Sequence, residues 1–339
     1  MIAFALPKGG GRWRIVHACH SHGEERRYRR LANVLAAAER QAAQAAQVEQ
    51  VAHGFIRHRS PVTAAMAHTG YAVTVSVDIS GWYDAVRLEQ VEAGLLLAGM
   101  QPGQARSLAG RACLPALDER CPRWQEPAPR QGLASSPAAA NLAAVALDRR
   151  IVDALAATGH HWCYTRYADD LTVSSHKDDR GSVDAILSIL RMECEAMGWS
   201  LADHKTCIQR ASAGRRIILG ISVGEDIRPS RKSRRQLRAA RHQNPKSPQA
   251  KGLAEWCALR VPGQGTLWRD VVKTLAGNPW KIPPMWEVTC LLERYHAMPS
   301  LVQKIRQRIS TLVQVGVPHL DGELKMLRAR LLRKAKAKQ

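Results

Sequence analysis

Only two phenylalanines occur in 339 residues, and aromatic residues make up 5% of the chain, so the core cannot rest on ring packing. The apolar fraction is still 45%, enough to bury a sizeable core in two or three subdomains. No run of about 18 apolar residues exists, which excludes a membrane-spanning helix from the expected elements. The apolar stretch in "MIAFALPKGGG" is likewise too short for a signal peptide. Eight cysteines, at 19, 113, 121, 163, 194, 207, 257 and 290, form no CxxC pair and follow no regular spacing. That pattern argues against a disulfide framework and for reduced thiols in a cytoplasm. Acids are scarce as well. Against 50 Lys and Arg stand 29 Asp and Glu, a net charge of +21. Such an excess is the footprint of a polyanion binder, with nucleic acid favoured over anionic lipid.

What is present is organised. Residues 5–16, "ALPKGGGRWRIV", read as strand, glycine turn and strand, with Lys8, Arg12 and Arg14 around the turn. Residues 29–52 lack Pro and Gly and predict a helix. "YAVTVSVDIS" (71–80) predicts a buried strand, and 86–99 a helix. The prolines of 101–130 predict irregular or loosely helical chain. "SSPAAANLAAVALDRRIVDAL" predicts a helix opened by a Ser cap with Pro in the first turn. A hairpin follows, then a helix carrying Val183, Ile186, Leu187, Leu190, Cys194 and Met197 and closed by Gly198. "RRIILGISVG" (215–224) predicts a strand pair. From about residue 229 the chain is basic and helical, ending in a tail, Lys325–Lys338, with seven Lys or Arg and no acid.

Within the hairpin, "RYADDLTVSS" sets Asp169 beside Asp170. A doublet of this kind also suits an ordinary exposed turn, since Asp tolerates turn geometry. The element order suggests otherwise: an α+β sheet with helices on one face, in which the end of the 71–80 strand, carrying Asp78, lies beside the hairpin tip. Three converging carboxylates repel unless cations sit between them, and hard oxygen donors select Mg²⁺. Two such ions about 3.5–4 Å apart can activate a hydroxyl and stabilise a leaving pyrophosphate.

"YADD" after a strand resembles motif C of reverse transcriptases, and further blocks resemble that family in the right order. "SVDISGWYDAV" (76–86) is similar to motif A, "RQGLASSPAAANL" (130–142) to motif B, and "GWSLADHKT" (198–206) to motif D. "RRIILGISV" resembles the primer-grip hairpin, "LPKGGGRWRIV" the finger hairpin, and "AHGFIRHRSPVTAA" (52–65) the block that follows it. The resemblance spans roughly residues 6–242. It implies a right-hand polymerase with fingers at 1–70 and 101–128, palm at 71–100 and 129–228, and a helical thumb from 229 to 339.

By residue, the resemblance makes Asp78, Asp169 and Asp170 the catalytic carboxylates, with the first two and the Ile79 carbonyl holding two Mg²⁺, or Mn²⁺ in their place. Asp170 is the more peripheral. Tyr83 would lie under the sugar and exclude a ribose 2′-hydroxyl, selecting dNTPs; its bland reading is a core aromatic. Lys8, Arg12 and Arg14 are the candidate triphosphate clamps, and the glycine turn leaves open which of them acts. Gln131 and Gly132 would border the incoming nucleotide. Lys205 would protonate or neutralise the departing pyrophosphate, or be a plain surface lysine. Arg231, Arg234, Arg235, Arg238 and His242 fall on one helical face, and no acid occurs between residues 227 and 250. That face would lie along template–primer phosphates. "HACHSH" (17–22) lacks the spacing of a structural zinc site.

The block "YTRYADDLTVSS" is most similar to retron and retron-like enzymes of bacteria. RNA template, a DNA or RNA primer and dNTPs are the implied partners, with phage defence as the implied setting. The Asn-Ala-x-x-His element of retron enzymes has no copy here, and "ILGISV" stands where Val-Thr-Gly is usual. A dedicated structured noncoding RNA and an effector protein therefore stay open as partners. No ribonuclease H domain or maturase extension is expected after the compact thumb. An untemplated or protein-primed polymerase and a catalytically silent RNA-binding scaffold are the competing readings.

Overall fold

The computed structural model describes residues 1–9, 12–121 and 123–259. Contacts divide the chain into two units, Met1–Pro262 and Gly263–Gln339, and every described residue belongs to the first. The basic tail, Cys290 and the later thumb helices lie outside the described residues.

Strands β1 (Ile2–Gly9) and β2 (Arg12–Ala18) pair antiparallel, with a register shift between Pro7 and Gly9. Helix α1 (His22–Ala45) starts seven residues before the predicted segment, because the Ser21 hydroxyl accepts the Glu24 amide and caps it. Its end is earlier too: Gln47 takes a left-handed φ of 57° and turns the chain away. Helix α2 (Pro61–Ala67) carries a capping box between Ser60 and Thr63. Then come β3 (Val73–Asp78), the single turn α3 (Trp82–Ala85), α4 (Leu88–Leu97) and α5 (Pro102–Ala112).

Over 101–130, expected to be irregular or loosely helical, helix α5 forms first and irregular chain follows. Pro102 occupies the first turn, where its missing N–H costs nothing. Helix α6 (Ser136–Ala157) is opened differently from expectation. Ser135 makes no capping bond; Ser136 instead donates its hydroxyl to the Arg130 carbonyl at 2.5 Å. Strands β4 (Trp162–Tyr167) and β5 (Asp170–Ser175) form the hairpin, and α7 (Arg180–Ala196) follows. A 3-10 turn at Asp203–Lys205 leads to β6 (Cys207–Arg210). The predicted strand pair is a three-stranded sheet, β7 (Arg216–Ile218), β8 (Ile221–Val223) and β9 (Ile227–Pro229). Helices α8 (Arg231–Gln243) and α9 (Pro248–Cys257) complete the unit.

The central sheet runs β4-β5-β3-β6, antiparallel throughout. Val73, Val75 and Val77 share one face with Leu171 and Val173 and join α6 and α7 in a single core with Leu142, Leu147, Ile151, Ile186 and Leu190. Each such side chain contributes about 1.5–3 kcal/mol by leaving water. The other face is not bare. Thr74 and Ser174 lie there, and His68, just past α2, donates or accepts at both Ser174 and Thr165 at 2.8 Å. Arg216 of β7 closes that face, bonding Thr74 Oγ1 and the His68 carbonyl at 2.9 Å each. Hydroxyls alternate with valines along β3, so one strand serves a dry core and a hydrogen-bonded layer together.

Candidate active site

The register of β3 on β5 sets Asp78 directly opposite Asp170. Asp169 occupies the hairpin turn, and its carbonyl accepts the Ile79 amide at 3.0 Å, tying the turn to the end of β3. The turn needs Ala168 at a left-handed φ of 55°, a conformation costly for a residue with a Cβ. Strand-like pairing continues beyond β3: Ala202 N donates to Asp78 O and Ser80 N to Ser200 O, both at 2.8 Å. Those bonds carry Lys205 over the acidic end, where its Nζ lies 2.6 Å from Asp78 Oδ1.

Electrostatics at this end are unbalanced. Burial first, then the neighbouring Asp169 and Asp78, push the Asp170 carboxyl up to about 6. Asp169 is also raised, by burial and by Asp78, against the opposing pull of Lys205 and Lys8. Burial, and after it mutual repulsion, thus weigh against holding these carboxylates charged. Among the described residues no three His, Cys, Asp or Glu side chains close into a ready-made metal cage; the Lys205 ammonium takes up one Asp78 oxygen instead. The donor set nevertheless fits a hard divalent ion. It offers carboxylate oxygens in want of positive charge, and the Ile79 carbonyl accepts no hydrogen bond among the described residues.

Of the other predicted residues, Lys8 and Tyr83 come within electrostatic reach of Asp169. Gln131 and Gly132 seat on β2: His17 N donates to Gln131 O at 2.7 Å. Gly132 has φ 102°, and a Cβ there would fall 2.2 Å from the His17 carbonyl oxygen, so only glycine fits. Lys8 is exposed on β1, within electrostatic reach of Asp169. Arg14 is exposed and pairs in register with Leu6. Arg12 begins β2, and its side chain lies outside the described residues. Tyr83 in α3 is half-buried, its phenol pushed up to about 12 by burial and by Asp169. Arg231, Arg234, Arg235, Arg238 and His242 are all exposed on α8, opposite the side where Ser233 and Ala240 are buried. His17 of the "HACHSH" run points inward, its Nε2 accepting the Leu117 amide at 3.1 Å.

Other buried residues were not anticipated. Arg130 is buried and spends its guanidinium on Asp84 Oδ1 at 3.0 Å and on the carbonyls of Leu114 and Glu126. Arg166, sealed in the core, pairs with Asp148. Residues 51–54 run along the edge of β4, with Arg166 N donating to Val51 O and His53 N to Arg166 O. Gly54 lets this strap touch the turn, for a Cβ on it would meet Ala168 N at 2.5 Å. The one legible signal was parity: Arg166 occupies the same side of β4 as Tyr164, the side facing the core.

Residues 6–238 match the protein family described as reverse transcriptase (RNA-dependent DNA polymerase). The chain belongs to the reverse transcriptase family. Within it, the chain is similar to bacterial retron enzymes. The retron Mx65 reverse transcriptase of Myxococcus xanthus is 31% identical over 256 residues, covering 73% of this chain and 56% of that protein. The retron Mx162 reverse transcriptase of the same organism is 30% identical, covering 64% of this chain and 50% of that protein. This reverse transcriptase chain thus spans about half the length of the curated relatives it matches. Among solved structures, telomerase from Candida albicans is similar at a TM-score of 0.47 with 13% identity, over 65% of this chain and 43% of that one. The mixed fold with its antiparallel sheet is that of a right-hand polymerase. Enzymes of this family generally use divalent metal ions. No helix among the described residues is long and apolar enough to cross a membrane.

Proposed function

We propose that the protein is an RNA-directed DNA polymerase of retron-like type that extends a primer with dNTPs by two-metal-ion nucleotidyl transfer. The pairing of Asp78 with Asp170, with Asp169 at the adjoining turn, carries this reading. When bound, two Mg²⁺ ions supply activation of the primer hydroxyl and neutralisation of the departing pyrophosphate. Asp78, Asp169 and the Ile79 carbonyl would hold the ions, while Asp170, at the start of β5, would contribute mainly charge. Lys205, half-exposed and bonded to Asp78, would neutralise or protonate the departing pyrophosphate. Lys8, Arg14 and Arg12 bind the triphosphate from the hairpin. Tyr83 packs beneath the sugar, and Gln131 with Gly132 borders the base. The basic face of α8 follows the template–primer phosphates.

The division into fingers (1–70 and 101–128), palm (71–100 and 129–228) and thumb (from 229) is proposed with this reading. It is supported by β3–β6 falling within the palm ranges and the β1–β2 hairpin within the fingers. A cytoplasmic setting is supported by seven free cysteines among the described residues. RNA template and primer as partners, and service in phage defence, rest on the likeness to retron enzymes.

Primer extension decides the matter: an RNA template, DNA primer, dNTPs and Mg²⁺, with wild type set against Asp169→Asn/Asp170→Asn. Extension by wild type and its loss in the variant is expected. Equal extension by both, or none by either in any divalent metal, overturns the reading. A product made without primer and attached to protein would select the protein-primed alternative.

A further inference from the structure

The guanidinium of Arg166 is completely buried, and its donors fan out to three groups on two segments, α6 and the hairpin turn. Nε donates to both Asp148 oxygens, at 2.9 and 3.1 Å, and Nη2 to Oδ2 at 2.8 Å. Nη1 reaches Asn141 Oδ1 at 2.8 Å and the Ala168 carbonyl at 3.4 Å. The tie is closed on every side. Tyr164 donates its hydroxyl to Asp148 at 2.9 Å, and Asn141 donates to the Gly54 carbonyl at 2.8 Å. The indole of Trp82, four residues after Asp78, lies 5.9 Å from the guanidinium carbon and meets Trp199 edge-on. One side chain therefore links α6, the strap at 51–54, the motif A turn and the hairpin turn that carries Asp169.

Stability alone does not account for this arrangement. Removing two charges from water costs about as much as their attraction returns, and apolar side chains of similar volume often serve a core as well or better. What apolar side chains cannot do is bond the carbonyl of Ala168, a residue held in left-handed geometry. A planar fork with five donors can bind a carboxylate, an amide oxygen and that carbonyl at once; an ammonium cannot span the three. Strained turns persist only where their surroundings over-determine them. We propose that Arg166, with Asp148 as its counter-ion, is a positioning residue that holds the Ala168–Asp169 turn at the height where Asp169 joins Asp78 in holding a divalent cation. This rests on the metal-dependent reading of the acidic end and names the device that sets its geometry.

The test uses the full chain as wild type, Arg166→Lys, and the charge-free pair Arg166→Met/Asp148→Leu, with Asp169→Asn marking the seat of the probe. Mn²⁺ binding is read by electron paramagnetic resonance, thermal unfolding reports the fold, and primer extension is titrated with Mg²⁺. The charge-free pair is expected to unfold within a few degrees of wild type yet to bind Mn²⁺ at least tenfold more weakly. Its Mg²⁺ requirement should rise in parallel while KM for dNTP holds. Folded protein with wild-type Mn²⁺ affinity overturns the proposal. Should the pair fail to fold, Arg166→Lys decides: it keeps the charge but not the fork, and undiminished Mn²⁺ affinity again overturns it. Tight Mn²⁺ binding by a wild type that extends no primer would instead sink the polymerase reading and leave the positioning role standing.

Discussion

Arg166 and Arg216 are buried arginines on opposite faces of the same sheet, and they are completed in opposite ways. Burial works against the charge on Arg166, but Asp148 more than offsets it and the guanidinium is held above its ordinary value. Arg216 hydrogen-bonds neutral partners, Thr74 and the His68 carbonyl; burial lowers it against the pull of Glu225, and its Nε has no hydrogen-bond partner among the described residues. A paired charge makes its neighbour dependent on it, whereas a charge held by hydroxyls and carbonyls leaves no stranded ion when removed. The helix-packed face of the sheet is thus specified by an ion pair, and the reverse face, to which Asp78 and Asp170 belong by strand parity, by a dipolar layer.

The largest effect that can break this comparison is Arg166→Met alone. It strands Asp148 in the core and should cost about 3–5 kcal/mol in denaturant unfolding. Arg216→Met should cost about 1 kcal/mol, the net worth of ordinary hydrogen bonds. Equal losses would erase the distinction. Acid should probe the reverse face next. Burial lowers His68 and His53 to about 3, so both are neutral in the folded protein and gain protons on unfolding. Stability from each is complete above pH 6.5 and falls as pH drops from there toward 3, by at most about 3 kcal/mol each at pH 4. His68→Gln, which cannot be protonated, should flatten the stability–pH slope over that window; an unchanged slope would assign it to other groups.

A smaller effect is expected from Gly54→Ala, which presses the strap against the turn that Arg166 holds. Backbone must shift, costing about 1–3 kcal/mol, and extension should slow more than unfolding shifts. Smallest, and opposite in sign, is Asp170→Asn. The folded carboxyl is raised to about 6, so its charge opposes folding above that pH and the opposition fades toward pH 3.8. In metal-free buffer at pH 8 the variant should melt slightly higher than wild type, and Mg²⁺ should raise the melting point of wild type more.

The sheet end was readable because its signals are local. Alternating valines and hydroxyls specify β3, and a four-residue hairpin tip brings Asp169 and Asp170 to its last residue. Glycine at 132 likewise announces a close approach, though not that the His17 carbonyl is what it meets. The prolines of 101–130 left open which part is helical; Pro102 is harmless because it sits in the first turn of α5. The start of α1 was missed because Ser21 was not weighed as a cap. Lys205 read as a pyrophosphate partner or a surface lysine; its bond to Asp78 depends on residues 199–202 lying beside β3, a pairing across more than a hundred residues.

Composition and local pattern determined by themselves that the chain is strongly basic, that its strands alternate, and that its acids gather at strand ends, because charge and periodicity are properties of neighbouring residues. Only the tertiary structure decided that an arginine beside the doublet turns inward to Asp148 while another caps the reverse face unpaired. Such choices depend on which distant side chains share a dry interior, where an ion's partner matters far more than its place along the chain.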